Sequence, residues 1–454
     1  MSATSSSSIR QVGPDRREGR LLSLHGFTGD DGNGARQVDP VFLEFTLAAY
    51  LAWRDFEERR GDILPHLPDL LEDCDFHWGL EVRDTALSPI VGVNELLEAT
   101  DDPYDMPFAI TGSLFSSVTL QVTTLAAALE IPQVSGTSTS MHLERSDLFA
   151  RTVPTNAQDA RAVMTYYHSL GVTRLASVFM NEPYGVQYNQ ALQQEAGRLG
   201  ITLLFFPIEH GKVDQSMQDL KESQARFVFA IVLEGDWRMI IQSAYKHGVV
   251  GNSDYAWMAP DLTYLLNPTF GLDKEEESDI ALAMHGLGII SLQMQASSQH
   301  LFDKALQELR KNTTQLQDFI GHTAYPDLFS NFSFASDAAP FLYHHLIYDS
   351  AIALGLAACS TPGLFKGADL YQQLLMTEFE GVSGNVSFDS VTGTRDAVGT
   401  QYRVDNLLIS ASRSTETVGS NNTAATSNIK VNLLIWASCE EKVIFLAGRF
   451  EVWI

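Results

Sequence analysis

Cysteine is scarce: the 454-residue chain holds three, Cys74, Cys359 and Cys439. They form no Cys-x-x-Cys pair and no Cys/His ligand set, so the sequence argues for neither a zinc ribbon nor a disulfide framework, and at most one bridge can form. Basic residues are few, 30 against 56 acidic, for a net charge of −26. A field of that sign repels phosphate backbones and anionic lipid, so no nucleic-acid partner is expected. It favours cationic or zwitterionic small ligands, although a solvated acidic surface accounts for the same numbers.

Long apolar runs are missing too. The N-terminal stretch MSATSSSSIRQVGPDRREGR has no apolar core, so residues 1–19 read as a disordered lead and not as a secretory signal or anchor. Near the other end, VNLLIWASCEEKVIFLAGRFEVWI is broken by Glu440, Glu441 and Lys442, and each half is too short to cross a bilayer. The role of this tail, 431–454, is open. The GxSxG, GxxxxGK[ST], HExxH and strand-following GxGxxG signatures are absent. No enzyme, metal or cofactor is therefore expected. His344 and His345 are adjacent on a helical pattern, point about a hundred degrees apart and read as packing or surface residues.

What is present is a chain, 45% hydrophobic, long enough for two or three compact units. Short apolar runs (RLLSLHGF, PFAITG, IPQVSG, RLASVFM, ITLLFFPI, RFVFAIVLEG) alternate with amphipathic stretches such as PVFLEFTLAAYLAWRDFEERR, DARAVMTYYHSLG and PFLYHHLIYDSAIALGLAAC. That alternation predicts βα units around parallel sheets. The region from 265 to 335 is richer in Gln, Asn, Ser and Asp and reads as loops and a crossover. ASRSTETVGSNNTAATSN, within 411–430, has no apolar period and reads as a flexible linker. Sequons at Asn312, Asn331, Asn385 and Asn421 suit an extracellular surface but also arise by chance.

Ligands of open α/β sheets bind at the carboxyl ends of strands. Two hydroxyl-rich turns sit there: Ser116 and Ser117 after PFAITG, and Thr137, Ser138, Thr139 and Ser140 after IPQV. Hydroxyls at a helix N-terminus add donors for a carboxylate or phosphate. The same residues fit plain caps and turns, and the sequence leaves both readings open.

GSLFSSVTLQVTTLAAALEIPQVSGTSTS, followed by LFARTVPTNAQDARAVMTYYHSLGVTRLASVFMNEPYGV, resembles the extracellular ligand-binding region shared by class C G-protein-coupled receptors, natriuretic-peptide receptors and bacterial branched-chain amino-acid-binding proteins. LLSLHGFTGDD, VRDTALSP, YKHGVVGNSDYAWMAPD, IYDSAIALGLA and FEGVSGNVSFDSVTGTRDA extend the resemblance in order over roughly residues 20 to 410. It implies an α/β fold of the type I periplasmic-binding-protein kind, with two Rossmann-like lobes joined by three crossovers. The first lobe is expected from 20–151 and 291–375, and the second from 152–290 and 376–410.

The resemblance further implies a small polar ligand, an amino acid or amine, in the cleft between the lobes. Ser116, with Ser117 beside it, and Thr139, with Thr137 and Ser138 nearby, match the residues that hold ligand carboxylate and amino groups. Tyr184 matches an aromatic covering the ligand, and Asp261 an acid facing the amino group, although Asp261 also fits a helix cap. After the VP of the crossover, Asn156 stands where amino-acid-binding relatives often carry a carboxylate. A neutral amide pairs more weakly with a cation, which leaves amines, γ-amino acids and other small polar molecules open. HGFTGDD shows no basic residue to grip a side-chain acid, so a glutamate-like ligand is not supported. Relatives pair through first-lobe helices, so a homo- or heterodimer face is expected near Val118–Leu129 or elsewhere on that lobe. The resemblance places the chain on the extracellular side of a membrane as a piece of a longer receptor. A solitary binding protein and a pairing module with a vestigial cleft are the alternatives.

Overall fold

The computed structural model describes residues 17–30, 36–209, 211–232, 234–260, 283–293, 296–330, 332, 342–361, 367–396, 401–416, 424–439 and 443–444. Two sheets organise it. In the first lobe five parallel strands lie side by side in the order Phe76–Asp84, Arg17–His25, Ala109–Gly112, Gln133–Ser135, Phe149–Arg151. In the second, Thr202–Ile208, Arg174–Met180, Phe227–Ile231, Ala256–Pro260 and Gly288–Gln293 run parallel, and Gln401–Glu416 closes the set antiparallel. The periplasmic-binding-protein-like α/β architecture is therefore as expected.

Period-two alternation explains why the first-lobe sheet is covered on both faces. Along Arg17–His25, Leu22 and Leu24 pack with Leu96, Ile110, Val118 and Val122 under helices Pro89–Ala99 and Ser116–Ala128. Leu21 points the other way, into a core shared with Leu47 and Leu51 of helix Pro40–Glu57 and Ile352 of helix Leu342–Ser360. Each such leucine contributes about 1.5–3 kcal/mol on leaving water. Val118, Val122 and Ala126 are buried in this packing, so these three apolar residues belong to the core. His344 and His345 are buried as well, which matches the packing reading.

Three boundaries differ from the sequence reading. The ribbon Phe379–Gly381 with Gly384–Val386 belongs to the first lobe, because Phe379, Val382 and Val386 enter its core. The 376–396 stretch therefore does not join the second lobe as expected, and only the strand from Gln401 does. Between 265 and 335, where loops were expected, the described residues include strand Gly288–Gln293 and helices Gln299–Lys311 and Thr313–Gly321. The expected linker at 411–430 instead contributes to the antiparallel strands Gln401–Glu416 and Ala424–Cys439, and the latter takes in part of the tail. An antiparallel ladder is built from backbone groups, so it forms without the apolar period on which sequence reading depends.

His25, at the end of its strand, is fully buried, and burial pulls its pKa down to about 3. The folded state keeps the ring neutral while the unfolded chain protonates near 6.5. Stability present above pH 6.5 is thus lost as the pH falls towards 3, by about 2 kcal/mol at pH 5 for this group. Buried His344, also pulled down by burial, acts in the same direction. Urea unfolding at pH 7 and pH 5 should show His25→Gln losing about 2 kcal/mol less than the wild type. Equal losses would refute this assignment.

Candidate functional site: the interlobe cleft

Where the chain crosses between the lobes, an open recess lies between them. The first lobe contributes Thr139, Tyr343 and Leu346, and the crossover contributes Val153 and Pro154. The second lobe contributes Asp159, Tyr184, Tyr188, Pro260, Ser291 and Tyr402, among others. Both lobes thus face one cavity, the arrangement that hinge closure requires.

Local sequence positions each group. After the crossover proline, Thr155 caps helix Asn156–Ser169: its hydroxyl accepts from the Gln158 N–H at 3.3 Å, and Gln158 Oε1 accepts from the Thr155 N–H at 2.9 Å. This capping box starts the helix at Asn156 and sets Asp159 in the first turn, where the helix dipole favours a carboxylate. Glu182 does the same for helix Pro183–Leu199, accepting from Gly185 N at 2.8 Å and Tyr184 N at 3.1 Å. Tyr184 and Tyr188, four residues apart on that helix, share one face and meet edge-on with centroids 5.9 Å apart.

Asp159 sits among these rings. Tyr402, from the closing strand, donates its hydroxyl to Asp159 Oδ1 at 2.6 Å. The phenol pKa values of Tyr188 and Tyr402 are pushed well above the ordinary value, first by burial and then by the Asp159 charge. The Tyr188 hydroxyl and Ser291 Oγ, both on cavity-lining residues and both buried, have no hydrogen-bond partner among the described residues.

Of the residues singled out in the sequence, Thr139 and Tyr184 line the cavity. Ser116, Ser117, Thr137, Ser138 and Asn156 do not line it. Ser116 opens helix Ser116–Ala128, and its Oγ accepts from the Ser140 N–H at 3.3 Å; Ser117 beside it is half-buried. Thr137 donates to the Leu114 carbonyl at 2.7 Å. Ser138 is fully buried and bonded to Thr119 Oγ1 at 2.6 Å, so its hydroxyl fastens the junction inside the lobe. Asn156 donates its N–H to the Thr139 carbonyl at 3.0 Å, while both polar atoms of its buried side chain lack partners among the described residues. Asp261 lies outside the described residues.

Arg151 ties the hydroxyl loop to the sheet. Fully buried, it donates to the carbonyls of Ser138 at 3.2 Å and Ser140 at 2.7 Å, on either side of Thr139. The sequence reading missed Asp159, Tyr188, Ser291, Tyr343 and Tyr402. The spacing of Asp159, one helical turn after the crossover, was the available signal for the first of these. The lobes also touch directly: Ser140 Oγ donates to Gln187 Oε1, and Gln187 Nε2 lies 3.1 Å from His142 Nδ1.

Residues 68–400 match the family model described as the receptor family ligand binding region. A metabotropic glutamate receptor of Drosophila melanogaster is 27% identical over 217 residues, which cover 46% of this chain and 21% of that receptor. Metabotropic glutamate receptor 4 of Macaca fascicularis is 26% identical over 265 residues, 54% of this chain and 29% of the receptor. Metabotropic glutamate receptor 6 of Rattus norvegicus is 25% identical over 223 residues, 46% and 25% of the two chains. The chain spans only about a quarter of the length of these relatives. Since the family match runs over most of the sequence and takes in strands of both lobes, the chain belongs to the receptor family ligand-binding region, of the kind found in class C receptors.

Proposed function

We propose that this chain is the extracellular sensor region of a class C receptor-like membrane protein, whose lobes close on a small polar ligand, an amino acid or amine, without converting it. The observation that carries the reading is the recess at the crossovers, walled by both lobes and holding Asp159 among tyrosines. The relatives are receptors, which supports a sensing role, and their greater length supports membership of a longer protein. No helix among the described residues is long and apolar enough to cross a membrane. The relatives carry glutamate in their names; here no described lining residue is basic, so nothing in that wall neutralises a second carboxylate.

Binding that draws the lobes together should raise the unfolding temperature and reduce the radius of gyration. Titrating the chain with amino acids and amines, followed by calorimetry and small-angle scattering, tests both. A folded chain that shows neither change with any compound would remove the reading. Gln187→Ala cuts the hydrogen bonds to Ser140 and His142 that join the lobes. Ligand affinity should then fall about three- to tenfold, because the lobes lose contacts that hold them together around the cleft.

A further inference from the structure

We infer that the cleft selects an amine without an α-carboxylate over the corresponding zwitterionic amino acid, an inference that rests on the cleft being the ligand site. The wall carries one carboxylate, Asp159, and among the described residues no Lys, Arg or His lines it. Arg151, the cation beneath the Thr139 loop, feels the Asp159 charge but is absent from the lining, where its donors are committed to the Ser138 and Ser140 carbonyls and its charge is paired with Glu144 at 3.3 Å.

The rest of the wall suits an ammonium group. Tyr184, Tyr188, Tyr343 and Tyr402 all line the cavity, and aromatic faces attract cations most strongly where water is excluded. Asn156 puts a neutral amide at the start of the crossover helix, and Asp159 restores the charge one turn later. A ligand carboxylate would enter the field of Asp159 with no described counter-charge in the wall. A lone cation, by contrast, meets a carboxylate and π-electron faces. The acidic net charge of the whole chain, −26, adds attraction of the same sign.

Isothermal titration of the full chain with matched pairs tests this: isoamylamine against leucine, tyramine against tyrosine, and histamine against histidine. At least one amine should bind about tenfold or more tighter than its amino acid, a preference that shrinks with rising salt. Asp159→Asn, which keeps an oxygen to accept from Tyr402, should weaken that amine about tenfold and reduce the preference. Tyr184→Ala, at the half-buried helix start, should weaken it about three- to tenfold and provides a second variant should the first misfold. If amino acids bind as tightly as the amines or tighter, or if Asp159→Asn leaves amine affinity unchanged in a folded protein, the inference is overturned while the cleft reading stands. If neither series binds the folded chain, both fall.

Discussion

Cys359→Ser is expected to lower the stability of the first lobe by about 3–5 kcal/mol. Cys74 and Cys359 form a disulfide across 285 residues of sequence, with Cα atoms 5.1 Å apart. The loop it closes contains the entire parallel part of the second-lobe sheet, so cutting it releases a large entropy in the unfolded chain. Thermal unfolding followed by circular dichroism should show the first-lobe transition falling on the order of 5–10 °C. Added reductant should lower the wild type similarly and leave the variant unmoved. Identical midpoints for variant and wild type would show that the bridge contributes nothing. A bridge of this kind persists in oxidising surroundings, which supports the extracellular placement proposed above.

Asp349→Ala should cost about as much, on the order of 3–5 kcal/mol. Asp349 is fully buried on helix Leu342–Ser360, and its oxygens accept from the Val382 N–H at 2.8 Å, the Ser383 N–H at 2.9 Å and the Ser383 hydroxyl. Burial raises its pKa despite these donors and the nearby Arg395. Arg395 in turn donates to Ser383 Oγ at 2.6 Å and reaches the Thr152 carbonyl, at the first crossover, at 3.3 Å. Alanine leaves two backbone N–H groups unmatched and removes the nearby counter-charge of the Arg395 guanidinium, which keeps its carbonyl and hydroxyl acceptors. Gly381 belongs to the same contact, since a Cβ there would overlap the Asp349 carboxylate. Urea unfolding should give the full loss for alanine and a smaller one for Asp349→Asn, which keeps one acceptor. A loss below about 1 kcal/mol for alanine would mean that water replaces the clamp.

The repeated βα units were legible because covered parallel strands are apolar on both faces and their helices carry a three- and four-residue period. Arg174–Met180 and Phe227–Ile231 stand in the sequence as RLASVFM and RFVFAIVLEG, and the edge strand Thr202–Ile208 is as apolar, ITLLFFPI, although Phe205 is exposed. Phe76–Asp84 was harder, because His77, Gly79, Glu81 and Arg83 interrupt its buried positions; the run alternates where its neighbours are continuous. The placement of 376–396 was misread because proximity in sequence to the closing strand says nothing of which lobe Phe379 and Val386 enter. In the cleft, Thr139 and Tyr184 were legible from their strand-end and helix-start positions. Tyr343 and Tyr402 were not, for they stand more than 180 residues along the chain from Asp159 and nothing local marks them.

The sequence by itself determined the α/β class, the acidic surface, the hydroxyl-rich strand ends and the family resemblance, since all of these follow from composition, local period and ordered motifs. Only the tertiary structure decided that Cys74 meets Cys359, that Arg151 holds the Thr139 loop, and that Asp159 gathers tyrosines from three separate segments. These depend on which distant segments the two sheets bring together, and side-chain periodicity along the chain carries no record of such long-range closure.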